Sequence, residues 1–209
     1  MKEKEEARLK VLKEMEEKIY NNGFDYICGI DEAGRGPLAG PVVVAAVIMP
    51  RDSFIEGVND SKKISEKKRE LIYEQIIKEA ISYSVSIISQ NVIDEINILE
   101  ATKKGLTESV KGLEVKPNLI LVDALQKIDT CGIPYDSIIK GDEKCYCIAA
   151  ASIIAKVTRD RIMRQWAEVY PVYGFEKHKG YGTAAHIAAI REFGSCILHR
   201  NSFIKNFKQ

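Results

Sequence analysis

The chain has 209 residues, 45% hydrophobic and 29% charged, with a net charge of +1. That size suits one domain, or one domain with a small appendage. No apolar run reaches the length of a membrane span and Met1-Lys2-Glu3-Lys4-Glu5-Glu6 has no signal-peptide pattern, so the expectation is a soluble, cytoplasmic protein with no membrane partner.

Residues 2 to about 20 predict a strongly charged helix with Leu9, Leu12, Met15 and Ile19 near helical spacing, ended by Asn21-Asn22-Gly23. An apolar run, Tyr26-Ile27-Cys28-Gly29-Ile30, then ends in Asp31-Glu32. A glycine-rich bend with one arginine follows, Ala33-Gly34-Arg35-Gly36-Pro37-Leu38-Ala39-Gly40-Pro41, and leads into Val42-Val43-Val44-Ala45-Ala46-Val47-Ile48-Met49. This predicts two strands joined by a turn, with the two carboxylates at the end of the first. Pro50 breaks the second strand.

Ser65 is placed to cap a helix reaching about Ala80, and the alternation from Ile81 to Ser89 predicts a half-buried strand. Asn91 is placed to cap a further helix reaching about Gly112. After Pro117, residues 118–124 form a short apolar strand with Asp123 near its end, and Ile138-Ile139-Lys140-Gly141-Asp142 repeats that pattern. A helix rich in small residues begins at about Cys147 and runs through Lys156-Val157-Thr158-Arg159-Asp160-Arg161 to about Tyr170. The loop His178-Lys179-Gly180-Tyr181-Gly182-Thr183 precedes a short helix from about Ala184 to Phe193.

The five cysteines are odd in number and none stands at a paired zinc-type spacing, which predicts free thiols, with Cys145 and Cys147 as small buried groups. No two of His178, His186 and His199 share metal-ligand spacing, so they are read as surface or capping residues. From Lys156 onward the chain carries 10 Lys and Arg against 4 Asp and Glu. An acidic front and a basic tail suit a carboxylate site beside a phosphate-binding surface.

Ligands gather outside the carboxyl ends of parallel strands in an α/β sheet. If the strands ending at Asp31 and Asp123 are neighbours, Asp31, Glu32 and Asp123 converge, and such carboxylates repel unless a cation joins them. All-oxygen ligands select a hard ion, Mg²⁺ or Mn²⁺. Two such ions, about 3.5–4 Å apart, serve in-line displacement at phosphorus, so the reaction class is metal-assisted phosphodiester hydrolysis. No nucleophile elbow points to a serine or cysteine hydrolase.

These segments together resemble the bacterial ribonuclease HII family: residues 29–41, Asp60-Ser61-Lys62-Lys63, Asn97-Ile98-Leu99, Val122-Asp123, Lys140-Gly141-Asp142, residues 149–161 and residues 178–183 occur in the family's order, over about residues 26–205. The resemblance implies an α/β fold, a ribonuclease H-like mixed sheet flanked by helices. The division it suggests is an N-terminal charged helix over residues 1–24 and a catalytic domain over residues 25–209 that includes a C-terminal helical part. The implied activity is endonucleolytic cleavage of the RNA strand of RNA–DNA hybrids, and of duplex DNA on the 5′ side of an embedded ribonucleotide, leaving a 3′-hydroxyl and a 5′-phosphate. By the same resemblance Asp31, Glu32, Asp123 and Asp142 are the catalytic, metal-binding carboxylates, with Asp142 preferred to Asp136, Glu143 and Asp160. Gly34, Arg35 and Gly36 match the loop that reads the ribose 2′-hydroxyl, the group that separates RNA from DNA at one nucleotide. Tyr181 matches the residue that packs on the following deoxyribose. Ser61, Lys62 and the basic turn near Arg159 match positions that contact the nucleic-acid backbone.

Ala124 stands where many family members carry glycine. The expected state is a monomer. Two other readings are weighed: the type 3 relative, opposed by the Gly-Arg-Gly loop and the lack of a large N-terminal domain, and a non-catalytic hybrid-binding module, opposed by the intact carboxylate set.

Overall fold

The computed structural model describes residues 2–207. Its centre is a five-stranded mixed sheet of β1 (Ile27–Ala33), β2 (Val42–Ile48), β3 (Ser82–Ile88), β4 (Leu119–Asp123) and β5 (Tyr135–Ile138), in the order β3-β2-β1-β4-β5. β1 runs antiparallel to β2, and β2 to β3; β1 and β4 are parallel, as are β4 and β5. The helices are α1 (Lys2–Asn21), α2 (Glu66–Glu79), α3 (Gln90–Lys111), α4 (Gly141–Lys144), α5 (Tyr146–Val169), α6 (Phe175–His178) and α7 (Ala184–Phe193).

Both faces of the sheet are covered, which is why β2 is apolar at every position. Val43, Ala45 and Val47 pack with Ala149, Ala150, Ile153 and Ile154 of α5, while Val44, Ala46 and Ile48 pack with Leu106 and Val110 of α3. The small residues of α5 let the helix lie very close to β1. α1 adds its apolar stripe to the α5 side, with Leu9 and Leu12 buried in the same core. The C-terminal part gathers Phe175, Ile190, Leu198 and Ile204 into a separate cluster against Met163 of α5.

One expectation about these elements needs correction. The helix expected to start at Asn91 is capped by Ser89, whose hydroxyl accepts from the Val92 N–H. That helix is also bent, because Asn97 stands at φ 67° and its side chain accepts from the Leu99 and Glu100 N–H groups at 2.9 and 3.1 Å, starting the helix afresh.

α1 is tied to the body by a buried carboxyl. Glu16 Oε1 accepts from the Cys147 N–H at 2.8 Å, at the N-terminus of α5, where the helix dipole favours negative charge. Burial outweighs that help and pushes the Glu16 carboxyl up to about 7. Since the native state then holds a proton that the unfolded chain releases at about 4.5, stability is highest below that value and declines as pH rises towards 7. This carboxyl's share of the decline is expected to be on the order of 3 kcal/mol and to be missing from Glu16→Gln, whose pH slope is correspondingly shallower, as read by urea unfolding at pH 5 and pH 8. Equal pH slopes in the two proteins would contradict it.

Candidate active site

β1 and β4 are the neighbours on which convergence depends. Their register pairs Ile30 with Val122, so Asp31 and Asp123 stand side by side on adjacent parallel strands, roughly 4.8 Å apart in strand spacing. Both lie on the α5 face of the sheet, with Ile27, Leu119 and Leu121 below them in the core. Asp31 is buried, and its Oδ1 accepts from the Glu32 N–H at 2.7 Å. Burial raises its pKa well above the usual carboxylate range, and Glu32 and Asp123 add to that rise. Burial also raises Glu32, against the pull of Arg35, whose Nη1 lies 3.3 Å from Glu32 Oε1.

Asp123 Oδ1 accepts from the Gly141 N–H at 2.7 Å, which ties the end of β4 to the start of α4. The next residue carries Asp142, buried and facing Lys62 Nζ at 3.6 Å. Its pKa is raised by burial, then by Asp60 and Asp123. Two of the three competing carboxylates are ion-paired, Glu143 with Lys63 at 2.8 Å and Asp160 with Lys156 at 2.6 Å, and Asp136 is exposed on β5. Ala124 takes φ 45°, a left-handed conformation in which glycine is at ease and alanine costs on the order of 1 kcal/mol.

Asp31, Glu32, Gly34, Arg35, Gly36, Ser61, Lys62 and Tyr181 line one recess of about 180 Å³, together with Ser152. A larger hollow of about 580 Å³ lies between α1 and Lys144, away from these residues. The smaller recess is the one that the expected site residues share. Ser61 is buried and its hydroxyl is held by Ser152 Oγ at 2.8 Å, whereas the Lys62 side chain is exposed. Asp60, which carries no role in the sequence reading, sets Lys62 in place by accepting its N–H at 2.9 Å.

Tyr181 is half exposed at the mouth of the recess, and the Arg159 guanidinium lies 5.8 Å from its ring centre. Arg159 itself is fully buried, so its own guanidinium is turned from the surface that the basic turn near it is expected to offer a nucleic-acid backbone. Its Nε and Nη2 instead donate to Pro41 O and Ala39 O. Of the three histidines read as surface or capping residues, His178 is half-buried and accepts from the Gly180 N–H, His199 accepts from the Cys196 N–H, and two are not at the surface. His186 and His199 are buried, with 3.1 Å between their Nε2 atoms, and His178 stacks on His186. His186 Nδ1 is 3.0 Å from Tyr181 O, and the carbonyl fixes that nitrogen as the donor. Burial, with His178 and His199 alongside, holds the His186 pKa down at about 4, so the ring is neutral near pH 7 and supports the Tyr181 loop from behind.

The donor set fits a hard divalent ion. It offers carboxylate oxygens only, and Asp31 carries a desolvation and repulsion cost that a cation offsets. Among the described residues no three Asp, Glu, His or Cys side chains are drawn together closely enough to hold an ion alone. An ion held there would need water and substrate oxygens to complete its shell.

The family profile described as Ribonuclease HII matches residues 28–206. The Ribonuclease HII of Caldicellulosiruptor saccharolyticus is 54% identical over 193 residues, covering 92% of this chain and 94% of that protein. Among solved structures, the ribonuclease H2 from Pyrococcus horikoshii OT3 superposes with a TM-score of 0.74 at 26% identity, over 87% of this chain and 96% of that one. Bst-RNase HIII, solved in complex with Mn²⁺, shares the fold with a TM-score of 0.62 at 21% identity, over 81% of this chain and 63% of that one.

Proposed function

The chain belongs to the ribonuclease HII family and is a nuclease of the ribonuclease H type, and from that premise we propose that it hydrolyses the RNA strand of RNA–DNA hybrids and incises duplex DNA 5′ of a single embedded ribonucleotide. The products are a 3′-hydroxyl and a 5′-phosphate. The observation that supports this reading is that Asp31 and Asp123 end adjacent parallel strands, with Asp31 in the recess that residues 34–36 and Tyr181 also line.

Asp31, Glu32, Asp123 and Asp142 are the residues that would hold two Mg²⁺ or Mn²⁺ ions, and such ions would supply positive charge to a phosphodiester whose oxygens gain negative charge. The protein's own part is positional. Asp123 is oriented by the Gly141 N–H and Asp31 by the Glu32 N–H, so neither carboxylate needs to reorganise. Arg35 holds Glu32 from the solvent side. Lys62 stands over Asp142, where it meets the phosphate backbone as a point charge. Residues 34–36 face the ribose 2′-hydroxyl, and Tyr181 offers a flat apolar surface to the sugar that follows.

The test uses three duplexes of one sequence: a long hybrid, a duplex with one ribonucleotide, and an all-DNA duplex, each with Mg²⁺, with Mn²⁺ and with chelator. The expected result is metal-dependent cutting of the first two, with the second cut on the 5′ side of its ribonucleotide. Cutting of the long hybrid alone would reassign the chain to type 3 behaviour. Binding without cutting in any metal would leave a hybrid-binding module.

A further inference from the structure

The following inference rests on the reading of residues 34–36 as the 2′-hydroxyl contact. Behind that bend lie two guanidinium groups, Arg159 of α5 and Arg200 of the segment after α7, both with no exposed surface. Arg200 Nη2 donates to Gly34 O at 2.6 Å and to Pro41 O at 3.2 Å, Nη1 to Arg35 O at 2.9 Å, and Nε to Gly40 O at 3.0 Å. Arg159 adds bonds to Pro41 O at 3.0 Å and Ala39 O at 3.1 Å, while its Nη1 has no partner among the described residues. Burying two like charges side by side against carbonyl dipoles is costly. Burial, and then Arg159, push Arg200 down to about 9. An apolar side chain would spare that cost but leave the bend's carbonyls without donors, so the two guanidinium groups act on the backbone of the bend rather than merely fill space.

Peptide geometry sets the outcome. In a trans peptide the C=O and the next N–H point in opposite directions. With Gly34 O and Arg35 O drawn inward to Arg200, the N–H groups of Arg35 and Gly36 face away from it, on the side of the recess that these residues line. Neither N–H has a protein acceptor among the described residues. Gly34, at φ +101°, lies so close to Arg159 that a Cβ would stand 2.1 Å from its Nε, so backbone rests directly on guanidinium.

We propose that Arg200, with Arg159 beside it, is a specificity-determining positioning residue: it locks the peptide planes of residues 34–36 so that two N–H groups meet the ribose 2′-hydroxyl oxygen, and so sets the preference for a ribonucleotide over a deoxyribonucleotide. Arg200→Lys keeps a cation but replaces the planar fork with one ammonium, which cannot serve Gly34 O, Arg35 O and Gly40 O together.

The measurement is KM and kcat on the single-ribonucleotide duplex, with Ki of the all-DNA duplex as competitor. The expected result is a rise in KM of about tenfold or more with Ki held within about twofold, since a charge-assisted contact network is lost only where the 2′-hydroxyl is present. A merely structural role would lower the melting temperature and the active fraction but leave the ratio of Ki to KM unmoved, and that outcome overturns the inference. Gly36→Ala separates this from failure of the underlying reading, because its Cβ meets nothing nearer than Tyr181 Cε1 at 3.9 Å and the variant is expected to fold. If Gly36→Ala lowers the ratio and Arg200→Lys does not, the loop still reads the 2′-hydroxyl and only the role of Arg200 falls. If the wild-type chain itself shows a Ki for the all-DNA duplex no higher than its KM for the single-ribonucleotide duplex, the 2′-hydroxyl is not read, and the loop reading and this inference fall together. Should Arg200→Lys fold too poorly to assay, Arg159→Lys is judged by the same ratio.

Discussion

Asp31→Asn is expected to lower cleavage of a hybrid by about 10³-fold or more while raising the melting temperature of the metal-free protein. Asparagine keeps the volume of the side chain and can still accept the Glu32 N–H, so the local backbone has no reason to move. What it removes is the charge. In the wild-type chain that charge is buried, and it faces Glu32 and Asp123, so the empty site carries repulsion in its native state. Removing one member relieves the repulsion and also removes a ligand. Two readouts therefore move in opposite directions: activity falls and metal-free stability rises. The stabilisation produced by added Mg²⁺ or Mn²⁺, which reflects binding to the native state alone, is expected to shrink in the variant. Cleavage near the wild-type rate would remove Asp31 from the metal site, and an unchanged melting temperature would remove the repulsion argument.

The sheet was largely legible because its strands are short apolar runs bounded by Gly, Pro or a carboxylate. Ile27 to Glu32 and Leu119 to Asp123 are both of this kind, and each carboxylate closes its run. Their adjacency was not legible, since pairing between distant strands leaves no local mark in either segment. The cap at Ser89 is hard to read because the alternation from Ile81 runs on into it, whereas β3 stops at Ile88 and leaves Ser89 to the helix. The larger misreadings share one physical cause. His186, His199, Arg159, Arg200 and Glu16 are polar and were assigned to the surface or given no role, yet all are buried. Each is buried because backbone groups need partners there: Tyr181 O for His186, the Cys147 N–H for Glu16, and the carbonyls of the glycine bend for the two arginines. Glycine-rich segments leave many backbone groups outside regular ladders. The side chains that satisfy those groups come from distant parts of the chain, where hydropathy marks them as exposed.

Glycine gives the second large effect, and it separates two positions within the same stretch. Gly29→Ala is expected to destabilise the fold by at least about 3 kcal/mol, a drop of roughly 6–12 °C in melting temperature for a chain of this size. A Cβ at Gly29 would stand 2.2 Å from the Cys147 carbonyl carbon, 2.4 Å from its oxygen and 2.5 Å from the Ile148 nitrogen. These are backbone atoms in the first turn of α5, and neither side of the contact can yield cheaply. β1 is held between β2 and β4, and the turn of α5 is held by Glu16 through the Cys147 N–H. The single methyl group must therefore part strand from helix. The parting also has a functional direction, because Asp31 lies two residues along β1 on the same face and looks towards Ser152 of α5. The fraction of Gly29→Ala that folds is expected to bind divalent metal more weakly than wild type. Urea unfolding measures the first effect, and titration of Mn²⁺ into the folded variant measures the second. A loss below about 1 kcal/mol would mean that β1 and α5 are not pressed together as described. It would also remove the reason why a glycine stands two positions before the buried aspartate.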